Sequence, residues 1–288
     1  MRLSTSTNIL FNRPLGIKET IENCISMCSK AGYRVMDMNF HDCTTFETPF
    51  KTNDWEKWIS NIKQVADECN IEFSQAHSPF YNFCEYNNEK KFYDNMIKRA
   101  VICSEILGVK WLVIHAGTDF SSPQLVKDSK RKNIEYFKPL IEFAAKHNVG
   151  IAIENLWDLN ISPLRRYTTT AEELVELVDC FDYKNIGICW DVEHADIMKQ
   201  EQFPALKLIG KRLMATHISD NIGKDNDHIL PYSGHTDWKE IMVALKEIGY
   251  KGDFTYEIHR YTERVPDELV LSALIHSINV GNHLLTLA

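Results

Sequence analysis

Residues 149–158 read VGIAIENLWD, in which an unbroken run of small and branched apolar residues is followed by a carboxylate, Glu154. No residue of opposite charge stands within this stretch. A buried carboxylate without a partner is strongly destabilising in a low-dielectric interior. The side chain must therefore be neutralised, exposed at the end of a strand or bound to a cation, and the rest of the sequence distinguishes these possibilities.

Short apolar runs of this kind alternate with longer segments of helical spacing along the chain, which is typical of parallel β/α units. Eight strands are predicted: RLSTST from Arg2, YRVMDMNF from Tyr33, IEFSQAH from Ile71, KWLVIHAG from Lys110, GIAIEN from Gly150, IGICWD from Ile186, LMATHISD from Leu213 and DFTYEIH from Asp253. Because no linker-like break interrupts them, the sequence predicts an α/β fold, a single (β/α)8 TIM barrel formed by residues 1–288 as one domain. An open doubly wound sheet is the alternative, since the first strand is polar, although no Gly-rich phosphate-binding loop occurs.

Composition and charge limit the kinds of partner. The formal net charge of −8 argues against broad, nonspecific binding to nucleic acid or anionic membranes. The eight cysteines form no C-x-x-C pair, so we expect reduced core residues. The N-terminal stretch lacks the apolar run of a signal peptide, and no segment approaches the roughly 20 residues of a membrane span. These features predict a cytoplasmic protein without a membrane partner.

Six consecutive strands end in a side chain that can bind a metal or transfer a proton. In chain order these are His77, His115, Glu154, Asp191, His217 and Glu257. The carboxyl ends of the strands of a closed parallel barrel meet on one face, so residues about 30 positions apart can surround one point. We therefore place Glu154 at the mouth of the barrel and predict metal binding or acid–base chemistry there.

A cation resolves the electrostatics of such a cluster. Three inward-pointing carboxylates and several imidazoles repel one another or are desolvated unless a cation lies between them. The most economical ligand set is Glu154, Asp191, His217 and Glu257, with water or substrate at the open positions. Oxygen ligands with one nitrogen suit Mn²⁺ or Mg²⁺, and Zn²⁺ or Co²⁺ would also bind. One divalent ion of open identity is therefore the predicted cofactor.

Four further histidines, at strand ends or in the loops that follow them, are assigned to substrate binding. They are His77, His115, His194 and His228. His194 follows Asp191 by three residues, so metal binding and a hydrogen bond to a substrate oxygen both stay open for it. Six aromatic residues also lie near these motifs, and sugar stacking and ordinary packing are both open for them: Phe80, Tyr81, Trp157, Trp190, Tyr232 and Trp238.

Seven motifs distributed over essentially the whole chain resemble the xylose isomerase-like superfamily of TIM barrels. They are AHSPF around His77, IHAG around His115, IEN at Glu154, WDVEH from Asp191, HISDN from His217, KDNDHILP around His228 and YEIH at Glu257. This superfamily contains sugar and sugar-phosphate isomerases and epimerases, inosose-processing enzymes and apurinic endonucleases of the endonuclease IV type.

For the isomerase and epimerase branch, the resemblance implies one divalent ion held by Glu154, Asp191, His217 and Glu257. The catalytic residues would be Glu154 and Glu257, on opposite sides of a bound sugar: one removes the proton beside the carbonyl, the other returns a proton, and the ion stabilises the enediolate. The implied partner is a small sugar, sugar-phosphate or cyclitol substrate, and the family-level assembly is a homodimer or homotetramer. A dehydratase of the inosose type begins with the same proton abstraction and stays open.

Two departures separate this chain from particular branches. Several ketose epimerases carry an Arg shortly after the seventh-strand His, and HISDNIGKD has none, which favours a cyclitol, keto-acid or sugar-phosphate substrate over a free ketose. The endonuclease IV branch uses three zinc ions, and its ligand set would map onto His77, His115, Glu154, Asp191, His194, His217, His228 and Glu257. The Asp expected two residues before His228 is Asn226 here, so nucleic acid is not the expected partner.

Two further alternatives remain from the sequence. Under the endonuclease alternative, the candidate phosphate contacts are Arg165, Arg166, Lys224 and Arg260. A non-catalytic barrel that binds a sugar or holds a partner subunit is the other alternative. Its weakness is that a pure binding module can dispense with a complete set of acid–base and metal-binding residues.

Overall fold

A computed structural model of the protein describes residues 1–11, 13, 19–158, 165–223 and 227–288. Its eight strands are β1 Leu3–Ser6, β2 Val35–Asn39, β3 Glu72–His77, β4 Trp111–His115, β5 Gly150–Glu154, β6 Ile186–Asp191, β7 Leu213–His217 and β8 Phe254–Tyr256. They form one parallel sheet in the order β7-β6-β5-β4-β3-β2-β1-β8. A parallel bridge between Ile218 and Tyr256 joins its two ends. The single (β/α)8 TIM barrel is confirmed, and the open sheet is excluded.

Helices follow the strands and cover the outside of the barrel. Within the described ranges these are α1 Asn8–Phe11, α2 Ile21–Ala31, α3 Phe40–Thr45, α4 Trp55–Glu68, α5 Lys90–Leu107, α6 Leu125–Lys146, α7 Ala171–Val178, α8 Val192–Ile197, α9 Gln202–Ile209, α10 Trp238–Glu247, α11 His259–Thr262 and α12 Val270–Leu285. No helix in this part of the chain combines the length and apolar character that crossing a membrane requires.

The alternation of side chains along β5 explains where its carboxylate lies. Ile151 and Ile153 belong to the main core that the helices share, whereas Ala152 belongs to a separate small cluster inside the barrel. Because successive side chains of a strand point to opposite faces, Glu154 points to the same side as Ala152. The sequence GIAIE therefore places its branched residues outside and its small residues and carboxylate inside.

The polar first strand is compatible with this interior. Ser6 is buried at the end of β1 and donates a hydrogen bond of 3.0 Å to Asp37 Oδ1 on β2. This bond satisfies one polar group of β1, whereas Ser4 Oγ, Thr5 Oγ1 and Asp37 Oδ2 are buried without a hydrogen-bond partner among the described residues. The polar strand that kept an open sheet under consideration is nevertheless part of the closed barrel.

All eight cysteines are free thiols, and six are buried. Cys69 is partly exposed and Cys180 is exposed, so the expectation of core positions was wrong for these two. Cys180 lies two residues after the end of α7 and is exposed to solvent.

Candidate metal centre and reaction cavity

The carboxyl ends of the strands surround a cavity of about 370 Å³. Six of the residues that the sequence assigned to metal binding, catalysis or substrate binding line it: His77, His115, Glu154, His194, His228 and Glu257. Register places them side by side, since His115 pairs with Glu154 across β4 and β5. Asp191 and His217, paired across β6 and β7, are buried and do not line this cavity.

Four buried side chains converge on one point. Glu154, Asp191, His217 and Glu257 each offer one ligand atom, and these atoms all lie within 4.8 Å of one another. His217 Nδ1 is 2.7 Å from Glu154 Oε1 and 3.2 Å from Glu257 Oε2. The structure therefore brings together the four residues that the sequence grouped as a ligand set.

Asp191 shows that this donor set fits a cation. Its Oδ1 accepts a 2.7 Å hydrogen bond from the His194 backbone N–H and caps α8, whereas its Oδ2 is buried without a hydrogen-bond partner. Burial, reinforced by the negative charge of Glu154, raises the pKa of Asp191 well above its ordinary value. A buried carboxylate oxygen without a donor, among two more carboxylates and an imidazole, is the environment that a divalent ion satisfies.

Glu154 answers the question raised by its sequence context. It lies at the carboxyl end of β5 but is completely buried, so it is not exposed at the mouth. His115 Nε2 lies 3.0 Å and His77 Nε2 3.2 Å from its Oε2. Burial alone would raise the pKa of Glu154, but the charge of His217 and hydrogen bonds from these imidazoles hold it well below the ordinary value. Imidazoles therefore offset the negative charge of the Glu154 carboxylate, and its position in the ligand set allows it to bind a cation.

Glu257 follows β8 directly and is the second glutamate of the cluster. Its Oε1 accepts a 3.0 Å hydrogen bond from Asn8 Nδ2, a residue that the sequence did not single out. Burial would raise its pKa, but the charges of His217, His228 and His77 outweigh burial and lower the pKa of Glu257 to about 2. Glu257 is therefore a carboxylate at neutral pH, oriented by Asn8.

Backbone carbonyls orient three of the four predicted substrate-binding histidines. The Nδ1 atoms of His77, His194 and His228 lie 2.8, 2.9 and 2.9 Å from the carbonyl oxygens of Ser78, Asn155 and Glu257. A carbonyl only accepts, so each Nδ1 carries the proton. Burial lowers the pKa of His194, so this ring is neutral and its Nε2 can accept a hydrogen bond or bind a metal.

Two further histidines line the cavity and were not assigned from the sequence. His41 stacks on Phe80 with ring centroids 3.8 Å apart, and His259 lies 4.3 Å from the His228 ring. Burial lowers the pKa of each to about 3, and the Nδ1 of each is buried without a partner. Both follow the end of a strand within three residues, as His194 does. That shared position is the signal that would have revealed them.

Glu193 is the functional candidate that the sequence concealed. It is completely buried, and its Oε2 accepts hydrogen bonds from Ser219 Oγ at 2.6 Å and from the His228 N–H at 2.9 Å. Its Oε1 accepts from the backbone N–H of Asp227. His228 has a φ of +45°, a region that non-glycine residues rarely adopt. Glu193 thus fixes the backbone that presents the His228 ring to the cavity. An acid in the first turn of a helix is common, so nothing in the sequence marked it.

Replacing Glu193 by Gln is expected to lower the free energy of unfolding by about 1–3 kcal/mol, because the amide nitrogen cannot accept from a buried N–H. The matched control Ser219→Ala leaves both backbone bonds of Glu193 in place and is expected to lose about 1 kcal/mol or less. Urea unfolding of the two variants measures the difference. Equal losses would contradict the role assigned to Glu193.

The structure separates the other candidates. Arg165 is paired with Glu173 at 2.6 Å, Arg166 lines the cavity, and Arg260 is exposed without lining it. Lys224 and Asn226 lie outside the described residues. Of the six aromatic candidates, Phe80 and Trp157 line the cavity, and Tyr81 lines an adjoining groove. Trp190 and Trp238 are core residues whose indole N–H groups donate hydrogen bonds to Gln202 and Asp220. Tyr232 is 54% exposed.

Fold and site together define a TIM-barrel protein with a candidate divalent-metal centre at the carboxyl ends of its strands. The family described as xylose isomerase-like TIM barrel matches residues 25–277. The chain belongs to this family, which confirms the resemblance seen in its motifs.

Relatives of the chain include sugar epimerases and inosose isomerases. The chain is 25% identical to the inosose isomerase of Bacillus velezensis, over 88% of this chain and 91% of that protein. It is 29% identical to the D-psicose 3-epimerase of Enterocloster bolteae, over 78% of this chain and 72% of that protein. A crystal structure of the IOLI protein with a binding zinc atom has the same fold, with a TM-score of 0.76 at 19% identity over 99% of this chain and 98% of that one.

Proposed function

We propose that the protein is a divalent-metal-dependent isomerase or epimerase of a small polyhydroxy carbonyl compound: a sugar, sugar phosphate or cyclitol. The observation that carries this proposal is the position of His217 Nδ1, 2.7 Å from Glu154 Oε1 and 3.2 Å from Glu257 Oε2. Two ionised glutamates therefore flank one cation-binding position beside a cavity of about 370 Å³. This arrangement supports removal and return of a proton on the carbon next to a carbonyl.

In this mechanism one of Glu154 and Glu257, as a carboxylate, removes the proton, and the other returns a proton that it has taken up from solvent, on the opposite side of the bound substrate. His115 and His77 hold the second oxygen of Glu154 at 3.0 and 3.2 Å, and Asn8 holds Glu257, so both carboxylates keep one orientation during proton transfer. The divalent ion, when bound, offsets the negative charge that develops on the substrate oxygens in the enediolate.

The neutral His194 is assigned to a substrate hydroxyl or to the ion, because its Nδ1 is committed to the Asn155 carbonyl and its Nε2 is left as an acceptor. The opposite role is assigned to His228. Burial would lower its pKa, but the charges of Glu193 and Glu257 raise it, so its ring is a donor to substrate oxygens. One acceptor and one donor then orient a hydroxylated substrate.

Proton exchange tests this proposal on several classes of sugar at once. The metal-loaded protein is incubated in D2O with ketoses, ketose phosphates and inososes, and the products are analysed by NMR. We expect deuterium at the carbon beside the carbonyl, together with an epimer or isomer; a dehydrated product would instead identify the lyase alternative. Absence of exchange across the panel with both Mn²⁺ and Zn²⁺ would overturn the proposal.

Metal addition is expected to stabilise the fold, because the ion satisfies the unpaired Asp191 oxygen and separates three carboxylates. An ion at about 100 times its Kd contributes about 2.7 kcal/mol. That corresponds to a rise in Tm of roughly 4–5 °C for a chain of this size. Thermal unfolding with Mn²⁺, Zn²⁺, Co²⁺ or Mg²⁺, before and after chelation, measures the shift. No shift with any of the four ions would contradict the metal centre.

A zinc-dependent abasic-site endonuclease is the second candidate. His77, His115 and Glu154 form another group whose ligand atoms lie within 4.8 Å of one another, so a further ion has ligands here. Plasma mass spectrometry of protein purified without added metal separates the two candidates. About one ion per chain supports the isomerase, whereas about three zinc ions, followed by cleavage of an abasic duplex, supports the nuclease.

A further inference from the structure

A second depression of about 410 Å³, termed here the outer groove, adjoins the reaction cavity. Four residues line both: Phe80, His115, Leu156 and Arg166. We propose that the outer groove binds a second, uncharged sugar ring, so that the substrate is a glycosylated keto sugar whose reacting carbons lie at the metal centre. This inference rests on the proposed function and narrows its substrate class.

The boundary between the two spaces is rigid. Phe80 stacks on His41 at 3.8 Å and on His115 at 4.2 Å between ring centroids, so its faces are occupied. Beyond it, Asn82 donates a 2.8 Å hydrogen bond to the Thr118 carbonyl and accepts one of 2.9 Å from the Thr118 N–H. The loops after β3 and β4 are thereby tied together. The outer groove is consequently preformed, as ligand sites usually are.

Aromatic surface is available in the outer groove. Tyr93 is half-buried and packs against Tyr81 with centroids 5.1 Å apart, and Phe120 is half-buried without a ring partner in the described part of the chain. Amphipathic ligands are bound by such rings through their apolar faces while their polar groups stay free to hydrogen-bond. A pyranose ring has this combination of an apolar CH face and an equatorial belt of hydroxyls.

The polar groups of the outer groove favour hydroxyls over anions. Glu85 and Glu89 line it, and neither carboxylate has an ion pair or a side-chain hydrogen bond with any described residue. The same holds for the Tyr93 hydroxyl, whereas that of Tyr81 is committed to Asp94 at 2.5 Å. Carboxylates only accept, and they repel phosphate. Among the described residues that line the groove, Arg166 is the one cation; it lies at the boundary with the reaction cavity, with its guanidinium 5.6 Å from the centroid of the Trp157 ring. Two carboxylates outnumber this cation, so a neutral, hydroxyl-rich group complements the lining better than a phosphate or a nucleic-acid strand.

The test compares D-fructose with isomaltulose and lactulose, which carry a second sugar on O-6 and O-4 and leave the ketone and C3 free. Deuterium incorporation at C3 is measured with the metal-loaded full chain. We expect kcat/KM at least tenfold higher for one of the disaccharides than for fructose. Tyr93→Ala and Glu89→Gln are expected to remove most of this preference.

Tyr86→Ala is the matched control, because Tyr86 is 92% exposed and does not line the outer groove. Glu89 is exposed, so its variant reports on binding even where Tyr93→Ala fails to fold. Equal or lower kcat/KM for both disaccharides, or a preference that survives both groove variants, would overturn the inference and leave the isomerase proposal in place.

Failure of the isomerase proposal is distinguishable from failure of this inference. If no sugar exchanges deuterium, calorimetric titration of the same protein with isomaltulose and with fructose measures their affinities without turnover. This comparison tests the second ring site independently of the isomerase proposal. Tighter binding of isomaltulose, weakened at least fivefold by Glu89→Gln and unchanged by Tyr86→Ala, supports the second ring site. Equal binding of the two sugars, or none, rejects it.

Discussion

Replacing Glu257 by Gln is expected to lower the rate of deuterium exchange and of product formation by about 10²–10⁴-fold, the usual contribution of a positioned acid or base. Gln has nearly the shape of Glu and can still accept the hydrogen bond from Asn8, which Glu257 Oε1 accepts at 3.0 Å. It cannot take up a proton at neutral pH. Glu154→Gln is expected to have an effect of similar size, because proton transfer needs both groups.

Both glutamates also belong to the candidate ligand set, so the kinetics must be measured at saturating metal, with the bound ion quantified in each variant. Glu47→Gln is the matched control, because the Glu47 side chain is 97% exposed. Rates close to those of the unmodified protein in both Glu154→Gln and Glu257→Gln would exclude the proposed proton transfer. Loss of activity that returns with excess metal would assign the glutamates to metal binding alone.

Asp191→Asn is expected to change metal binding and metal-free stability in opposite directions. Asn still caps α8, since Asn and Asp are equally good at this position. It removes the negatively charged ligand, and we expect metal affinity to fall at least about 100-fold, the upper range seen when only a supporting residue is lost. The Tm rise of roughly 4–5 °C that is expected when metal binds the unmodified protein should then disappear.

Without metal, the same variant is expected to be more stable than the unmodified protein. The pKa of Asp191 is raised in the fold by burial and by Glu154, so the folded state binds this proton more tightly than the unfolded chain. Stability therefore decreases as pH rises above the ordinary Asp pKa, and at neutral pH the carboxyl is destabilising. Asn cannot ionise, so it removes this destabilising contribution of the carboxyl.

Thermal unfolding near pH 7 and near pH 4, with and without metal, separates these effects. The gain from Asp191→Asn in the metal-free protein should be larger near pH 7 than near pH 4. Asp196→Asn is a control, because Asp196 is a partly exposed carboxylate of the same helix that pairs with His235. An Asp191→Asn variant that is less stable without metal, yet retains metal-induced stabilisation, would contradict a cation site at this residue.

The barrel was predictable because its signal is local. GIAIEN was predicted as a strand from Gly150, and the structure has β5 at Gly150–Glu154. The other seven strands were likewise placed within a few residues of their observed bounds. Apolar runs and their spacing report which side of an element is buried, and this information lies in consecutive residues.

The convergence of the strand ends was also predictable, because a closed parallel barrel brings all carboxyl ends to one face. Glu154, Asp191, His217 and Glu257 lie together for this reason. The sequence did not determine which of these groups are ionised, which carboxylate oxygen lacks a hydrogen-bond donor, or which substrate binds. These properties depend on distances between residues that are far apart in the chain.

The sequence by itself determined the fold class, the family and the set of strand-end residues, since each follows from periodicity or from motifs that can be read along the chain. Only the tertiary structure decided that Glu154 is fully buried and neutralised by imidazoles, and that Asp191 Oδ2 has no partner. It also revealed Glu193 as the support of His228. The physical reason is that burial, hydrogen bonding and the electrostatic field at a side chain are set by neighbours from other strands and loops, which no local pattern specifies.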